Sequence, residues 1–374
     1  MKYKLLGPYI EQVKGRNKDA LNTNLMGVSI AKRFIPSIAN IIGTDLSTYR
    51  IVHPGDFAFC PVTSRNGEKI TIARYKGEDD CIISQAYTPF RVIDENELDP
   101  DYLMMWFRRP EFDRYARFHS HGSVREIFSW EEMCNVSLPI PDINEQRKIV
   151  AEYQTIEKRI ENNNRLIKVL EETAQNIYYH TFVENIDPEN LPEGWRVGKL
   201  KEIAIEKNNH INKENVSIYK YYLPIENLPK KCMVYGEPLP SSQAESSLIT
   251  FEERDIIMGA IRPYFHKVVF ARTRGITRGT CIVLRPTFNY YWGFLMCLMF
   301  QDKTIQYATA HSQGTTMPYV NWSVLREMDI VIPPSTTCYM FNTKTDNIFN
   351  LLSNIAEEQI VLQKTLPLLL SKLS

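Results

Sequence analysis

The stretch that decides the fold is YARFHSHGSVREIFSWEEMCNVSLPIP at residues 115–141, because it returns at residues 307–333 as YATAHSQGTTMPYVNWSVLREMDIVIP. At a constant offset of 192, without a gap, Tyr115, Ala116, His119, Ser120, Gly122, Trp130, Ile140 and Pro141 meet Tyr307, Ala308, His311, Ser312, Gly314, Trp322, Ile332 and Pro333. Those are eight identities in 27 positions, where unrelated stretches give about one or two. The chain is therefore built twice from one plan.

Downstream of Pro141 the pattern predicts a long helix from Asn144, a capping residue, to Phe182. Apolar residues fall at Ile149, Tyr153, Ile156, Ile160, Ile167, Leu170, Ala174 and Ile177, with Asn163 at the one polar step. Steps of four and three make this a coiled-coil seam, about 58 Å long at roughly 1.5 Å per residue. The second copy carries Ile348, Leu352, Ile355, Leu362, Leu366, Leu369 and Leu373 in the same phase, interrupted by Gln359. Pro367 is expected to kink or end that helix. If the two helices pair antiparallel, setting Asn163 against Gln359 also sets Ile160 against Leu362, Ile156 against Leu366, Ile167 against Ile355 and Leu170 against Leu352. Asn163 and Gln359 are thus candidate register residues, since a buried amide is tolerated only where it is hydrogen-bonded.

Outward from the repeat, the organisation reads domain, helix, domain, helix: 1–142, 143–186, 187–336 and 337–374. Leu5 and Leu200 open the two domains, after Lys4 and Lys199. β-rich runs (70–73, 267–271) and helical runs (100–118, 291–310) make each domain mixed. The fold class is α+β: two similar domains separated by two long antiparallel spacer helices with pseudo-two-fold symmetry. Such an object holds two similar surfaces a fixed distance apart; for a duplex reader that means half-sites separated by roughly one helical turn, about 34–36 Å.

The 374 residues carry 44 basic and 44 acidic side chains. That balance argues against a protein that wraps nucleic acid by bulk charge, though not against a local patch. Seven scattered cysteines without a C-x-x-C pair read as reduced thiols. The longest apolar stretch, 290–300, is too short to span a bilayer. A soluble, cytoplasmic protein is expected.

Leu191-Pro192-Glu193-Gly194-Trp195, then Gly314-Thr315-Thr316-Met317-Pro318 with Asn321-Trp322, and Ile140-Pro141 with Glu145-Gln146 opening a long helix, together resemble the specificity subunits of type I restriction–modification systems. The resemblance covers the whole chain. It implies two target-recognition domains, each reading half of a bipartite, asymmetric double-stranded DNA sequence, with the helices setting the gap. It also implies modification (methyltransferase) subunits docked on the helices, with restriction/translocase subunits joining through that core. S-adenosylmethionine, ATP and Mg would belong to those partners, and this chain would be non-catalytic. The first domain departs from the pattern: it lacks the L-P-x-G-W leader, and its loop reads Gly122-Ser123-Val124-Arg125-Glu126.

Nor does the sequence carry a catalytic motif of its own. There is no phosphate loop, no glycine-rich dinucleotide turn and no proline-containing tetrad of the kind that grips a flipped adenine. His119 and His121 lack a third metal ligand nearby, and Gln313 replaces His121 in the repeat. Charge is distributed unevenly. Between 254 and 285, seven basic residues face one acid, Asp255, interleaved with Tyr264, Phe265, His266 and Phe270, while 94–101 and 184–193 are acidic. Arginine forks read guanine, amides read adenine, and most other cations meet phosphate. The DNA-binding candidates are therefore Arg65, Asn66, Lys69 and Arg74 in the first domain, and Arg262, Tyr264, His266, Lys267, Arg272, Arg274 and Arg278 in the second. The shared His119/His311 and Gly122/Gly314 segments should not read bases, because two domains with different targets share them. Two alternatives stay open at this point: a recognition subunit serving a fused methylase–nuclease partner, and a coiled-coil scaffold that binds no DNA.

Overall fold

The computed structural model describes residues 3–37, 43–64, 67–122, 125–245 and 247–373, the side chain of Lys213 excepted. The chain divides into two compact units, 1–158 with 363–374, and 159–362. The boundary falls inside each long helix.

Both units rest on the same four-stranded antiparallel sheet. In the first its order is Ile10–Gln12, Thr88–Val92, Phe57–Phe59, Ile72–Arg74; in the second it is Ala204–Glu206, Cys281–Pro286, Ile256–Gly259, Val268–Phe270. Period-two alternation sorts the side chains between the faces. Phe57, Phe59, Phe90 and Ile72 enter the helix-side core, while Ala58 and Ala73 join a second cluster with Cys81 and Ile83 on the other face. In the second unit Ile256, Met258, Val268 and Ile282 face the helices, and Ile257, Val269 and Val283 face away. Each of these buried Phe, Ile, Val and Met side chains contributes about 1.5–3 kcal/mol.

The offset of 192 recurs in the elements that follow. Helices α1 (Pro100–Arg108), α2 (Pro110–Phe118), α3 (Trp130–Cys134) and α4 (Ile143–Phe182) answer to α5 (Trp292–Met299), α6 (Asp302–Ala310), α7 (Trp322–Leu325) and α8 (Ser335–Ser371). The expected single helical runs at 100–118 and 291–310 are each two helices, broken in the first unit where Pro110 forces Arg109 out of helical backbone. The apolar stretch 290–300 contains α5, all eight residues of which are buried. Among the described residues, no helix is long and apolar enough to cross a membrane.

Three local expectations are corrected. Asp142, not Asn144, caps α4, accepting the backbone N–H groups of Asn144 and Glu145 at 3.1 and 3.3 Å. Leu6, not Leu5, is the counterpart of Leu200: Leu6 N–H bonds Val136 O and Leu200 N–H bonds Met328 O, and both leucines are buried while Leu5 is exposed. Pro367 does not end α8, which runs four residues further.

The long helices pair antiparallel within each unit. Ile149, Val150 and Tyr153 of α4 share a core with Leu366, Leu369 and Leu370 of α8 and with Leu373 just beyond it. Ile167, Leu170 and Ala174 share one with Ile348, Leu352 and Ala356. All seven cysteines are free, and burial pushes the thiols of Cys81, Cys232, Cys281 and Cys338 up to about 12. They are structural, not reactive.

Candidate nucleic-acid interface

The repeated segment forms the same platform in both units. At the end of α2, Tyr115 packs on His119 with ring centroids 4.3 Å apart; at the end of α6, Tyr307 packs on His311 at 4.1 Å. The chain then turns at Gly122 and Gly314, both at positive φ. It closes on itself through paired backbone bonds, His121 with Ile127 (3.1 and 3.0 Å) and Gln313 with Tyr319 (both 2.8 Å).

On that platform sits the loop joining the two neighbouring strands that end each sheet. Thr63 N–H bonds Glu126 O at 3.0 Å, and Arg262 N–H bonds Pro318 O at 2.7 Å. Phe128 N–H bonds Pro61 O, and Val320 N–H bonds Ala260 O, at 2.8 and 3.1 Å. Glu126 and Pro318 are 192 residues apart, as are Phe128 and Val320, so equivalent loops are tied to equivalent platforms. The two loops differ in sequence.

The first-domain candidates divide as follows. Lys69 is exposed on the loop, and Arg65 and Asn66 lie outside the described residues. Arg74 ends a sheet strand with its guanidinium 3.0 Å from Asp101 and bonded to Gly55 O.

In the second unit the loop is a tight turn, Pro263–Phe265, between Arg262 and His266, which both adopt left-handed backbone at φ 50 and 51°. His266 is buried, its Nε2 on Phe300 O at 3.1 Å and its Nδ1 3.2 Å from Asp302. Burial holds its pKa below the usual histidine value. Lys267 donates to Ile225 O at 2.6 Å, and burial lowers its pKa as well. Arg272 has only 2% of its side chain exposed; it bonds Glu357 at 2.9 Å and the carbonyls of Tyr235 and Gly236, and stacks on the Tyr235 ring. Arg278 pairs with Glu245 and Glu226. Arg254 and Arg285, also in the basic run, pair with Asp346 and Asp255. The excess of positive charge seen along the sequence is thus largely neutralised by folding.

On the turn, Tyr264 is 49% exposed, and Arg262 is half-buried with its guanidinium 6.0 Å from the Phe265 ring. Arg274 is exposed and makes no ion pair among the described residues. Sequence reasoning missed Lys230, whose ammonium sits 3.9 Å over Phe265. It lies more than thirty residues upstream, and only the fold brings it to the turn.

The family signature described as Type I restriction modification DNA specificity domain matches residues 40–172 and again 192–370, most of the chain. The chain belongs to that family. The specificity subunit of the type I restriction enzyme MjaIX from Methanocaldococcus jannaschii is 24% identical over 308 residues, covering 75% of this chain and 70% of the relative. A crystal structure of a type I restriction–modification S subunit from M. genitalium aligns over 98% of this chain and 95% of that one, with a TM-score of 0.56 at 14% identity. The fold is therefore that of an S subunit, and this protein is a specificity subunit of a type I restriction–modification system.

The spacer of the specificity subunit carries its two polar interruptions at adjacent steps. Asn163 and Gln359 are both buried. The Asn163 amide donates to Glu358 Oε2 at 2.9 Å, and the Gln359 amide donates to Asn164 Oδ1 at 2.9 Å and Ile160 O at 3.4 Å. Each amide bonds a neighbour of the other rather than the other itself. Arg159 grips the same Glu358 through two bonds of 2.9 and 3.0 Å, and holds that carboxyl below the usual range. His119 lies 3.2 Å from Glu132; among the described residues no group of three or more potential metal ligands occurs.

Proposed function

We propose that this specificity subunit reads a bipartite, asymmetric double-stranded DNA target in the cytoplasm, one half per unit. Modification subunits dock on α4 and α8, and restriction/translocase subunits join through them. The observation that carries the reading is one platform present twice with a different loop tied to each copy. A common platform serves one geometry, and dissimilar loops serve dissimilar base sequences. The subunit contributes recognition and no catalytic group. S-adenosylmethionine, ATP and Mg are held by its partners.

The neutral net charge fits such a division of labour. With most arginines of the basic run paired internally, the isolated chain offers few cations to phosphate. Its DNA binding alone is weak and salt-sensitive, with a slope as small as those few contacts, and partners supply the remaining neutralisation. The test is to express the chain with its modification subunits in a host lacking other methyltransferases and to sequence the methylome. The expected result is one motif with two unlike halves across a fixed gap. A palindromic motif, or methylation by the purified chain without a partner, would overturn the reading.

A further inference from the structure

We infer that the turn at residues 262–266 is the specificity-determining element of the second unit, with Arg262 and Tyr264 as the side chains that meet base edges. The inference rests on the DNA-reading function proposed above and narrows it from a patch to a turn. Three observations carry it.

The first is the division of labour among the candidates. His266, Lys267, Arg272 and Arg278 each spend their polar groups on the protein itself. Tyr264 is 49% exposed, and the side chain of half-buried Arg262 makes one hydrogen bond among the described residues, a long one of 3.4 Å to Thr316 O. The second is backbone strain. Arg262 and His266 are non-glycine residues held in left-handed backbone on either side of a three-residue turn, and Lys231, whose N–H bonds His266 O, is a third. Such backbone persists where the surroundings over-determine it, and it fixes the direction in which a side chain points. Here the surroundings are the platform bond from Arg262 N–H to Pro318 O and the buried His266 ring beneath the turn. The third is equivalence. The loop of the first unit that follows Thr63 is tied to the same platform carbonyl position and carries unrelated residues. A position that keeps its anchor and changes its side chains is where two targets would be told apart.

The chemistry assigns roles. The planar fork of Arg262 suits guanine O6 and N7, the phenol of Tyr264 reaches a neighbouring base edge or sugar, and Lys230, seated on Phe265, meets phosphate.

The experiment uses the full chain assembled with its modification subunits and reads the methylated motif of R262A and Y264A. R262A and Y264A are expected to relax one or two positions in one half of the motif, with at least about a fivefold loss of preference for the original base. The other half and the gap should stay unchanged and serve as the internal control. If R262A does not assemble, R262K decides: it keeps the charge but not the fork, so it must relax the same position. An unaltered motif in assembled R262K and Y264A overturns the inference while leaving the subunit's function standing. Absence of any two-part motif in the unsubstituted complex would instead remove the function on which the inference rests. K230A should weaken binding to all sequences alike and lower the salt slope by about one; a changed motif in K230A would show that the assignment of roles within the turn is wrong.

Discussion

Asn163 on α4 donates its side-chain amide to Glu358 on α8 across 2.9 Å, and Arg159, one turn earlier on α4, clamps the same carboxylate. Glu358 is the hinge of a small polar network in an otherwise apolar seam. Replacing it with alanine leaves the Asn163 N–H groups buried without an acceptor, which costs about 1–3 kcal/mol. Glu358→Ala should therefore lower the urea midpoint by more than an exposed ion pair would. The double variant Asn163→Leu, Gln359→Leu removes the buried amides together and should recover or exceed the original stability. It should also loosen the helix register, seen as faster hydrogen exchange along the middle of the pair.

Arg272 looks like a DNA-contacting residue in the sequence and acts as a bracket in the structure. Its buried guanidinium joins Glu357, two backbone carbonyls and the face of Tyr235. Arg272→Ala should destabilise the second unit by about 1–3 kcal/mol, because it removes the packing on Tyr235 and leaves the part-buried Tyr235 carbonyl unpaired. In an assembled complex the methylated motif should not change. Thermal unfolding and methylome sequencing of the one variant together check both halves of that statement.

What was legible in the sequence follows from the range of the interactions involved. The repeat beyond residue 100 and the long helices could be read because identity and heptad phase are local signals: Tyr115/Tyr307 and the Ile160-to-Leu362 seam needed no tertiary information. The common sheet upstream could not. Its strands Phe57–Phe59 and Ile256–Gly259 are buried on both faces, so they lack polar alternation and resemble any apolar run. The arginine patch misled for a related reason. The acids that neutralise Arg254 and Arg272 lie 92 and 85 residues further along, on α8, where no local charge count finds them. Leu5 and Leu6 are neighbours, but Leu5 ends a wholly exposed strand while Leu6 begins the turn that follows it and is buried, a difference that the leucines' shared chemistry does not reveal.

The platform turns on its glycines unequally. A Cβ at Gly122, where φ is +136°, would lie 2.2 Å from the carbonyl oxygen of Arg125, whereas at Gly314 the nearest atom, Met317 O, is 3.3 Å away. Gly122→Ala must move backbone and should cost more than about 2 kcal/mol. Gly314→Ala meets mainly the cost of left-handed backbone, about 1 kcal/mol. Differential scanning calorimetry of the two variants should show the larger loss in the first unit; equal losses would contradict the geometry.

His266 gives the second unit a dependence on pH. Burial is the main cause of its lowered pKa, partly offset by Asp302 and by the bond to Phe300 O, with Lys231 adding to the depression. The folded state therefore resists a proton that the unfolded chain accepts near the ordinary histidine value of 6.5. Between the lowered value and 6.5 the unfolded state binds more protons, so stability rises with pH across that window. It is fully present above about 6.5 and is lost as pH falls toward the folded value. The unfolding temperature of the second unit should thus drop between pH 7 and pH 5. His266→Gln, which keeps an N–H for Phe300 O and has nothing to titrate, should flatten that slope while lowering stability at pH 7 through poorer packing. A slope unchanged in His266→Gln would show that His266 is not the source of the acid sensitivity.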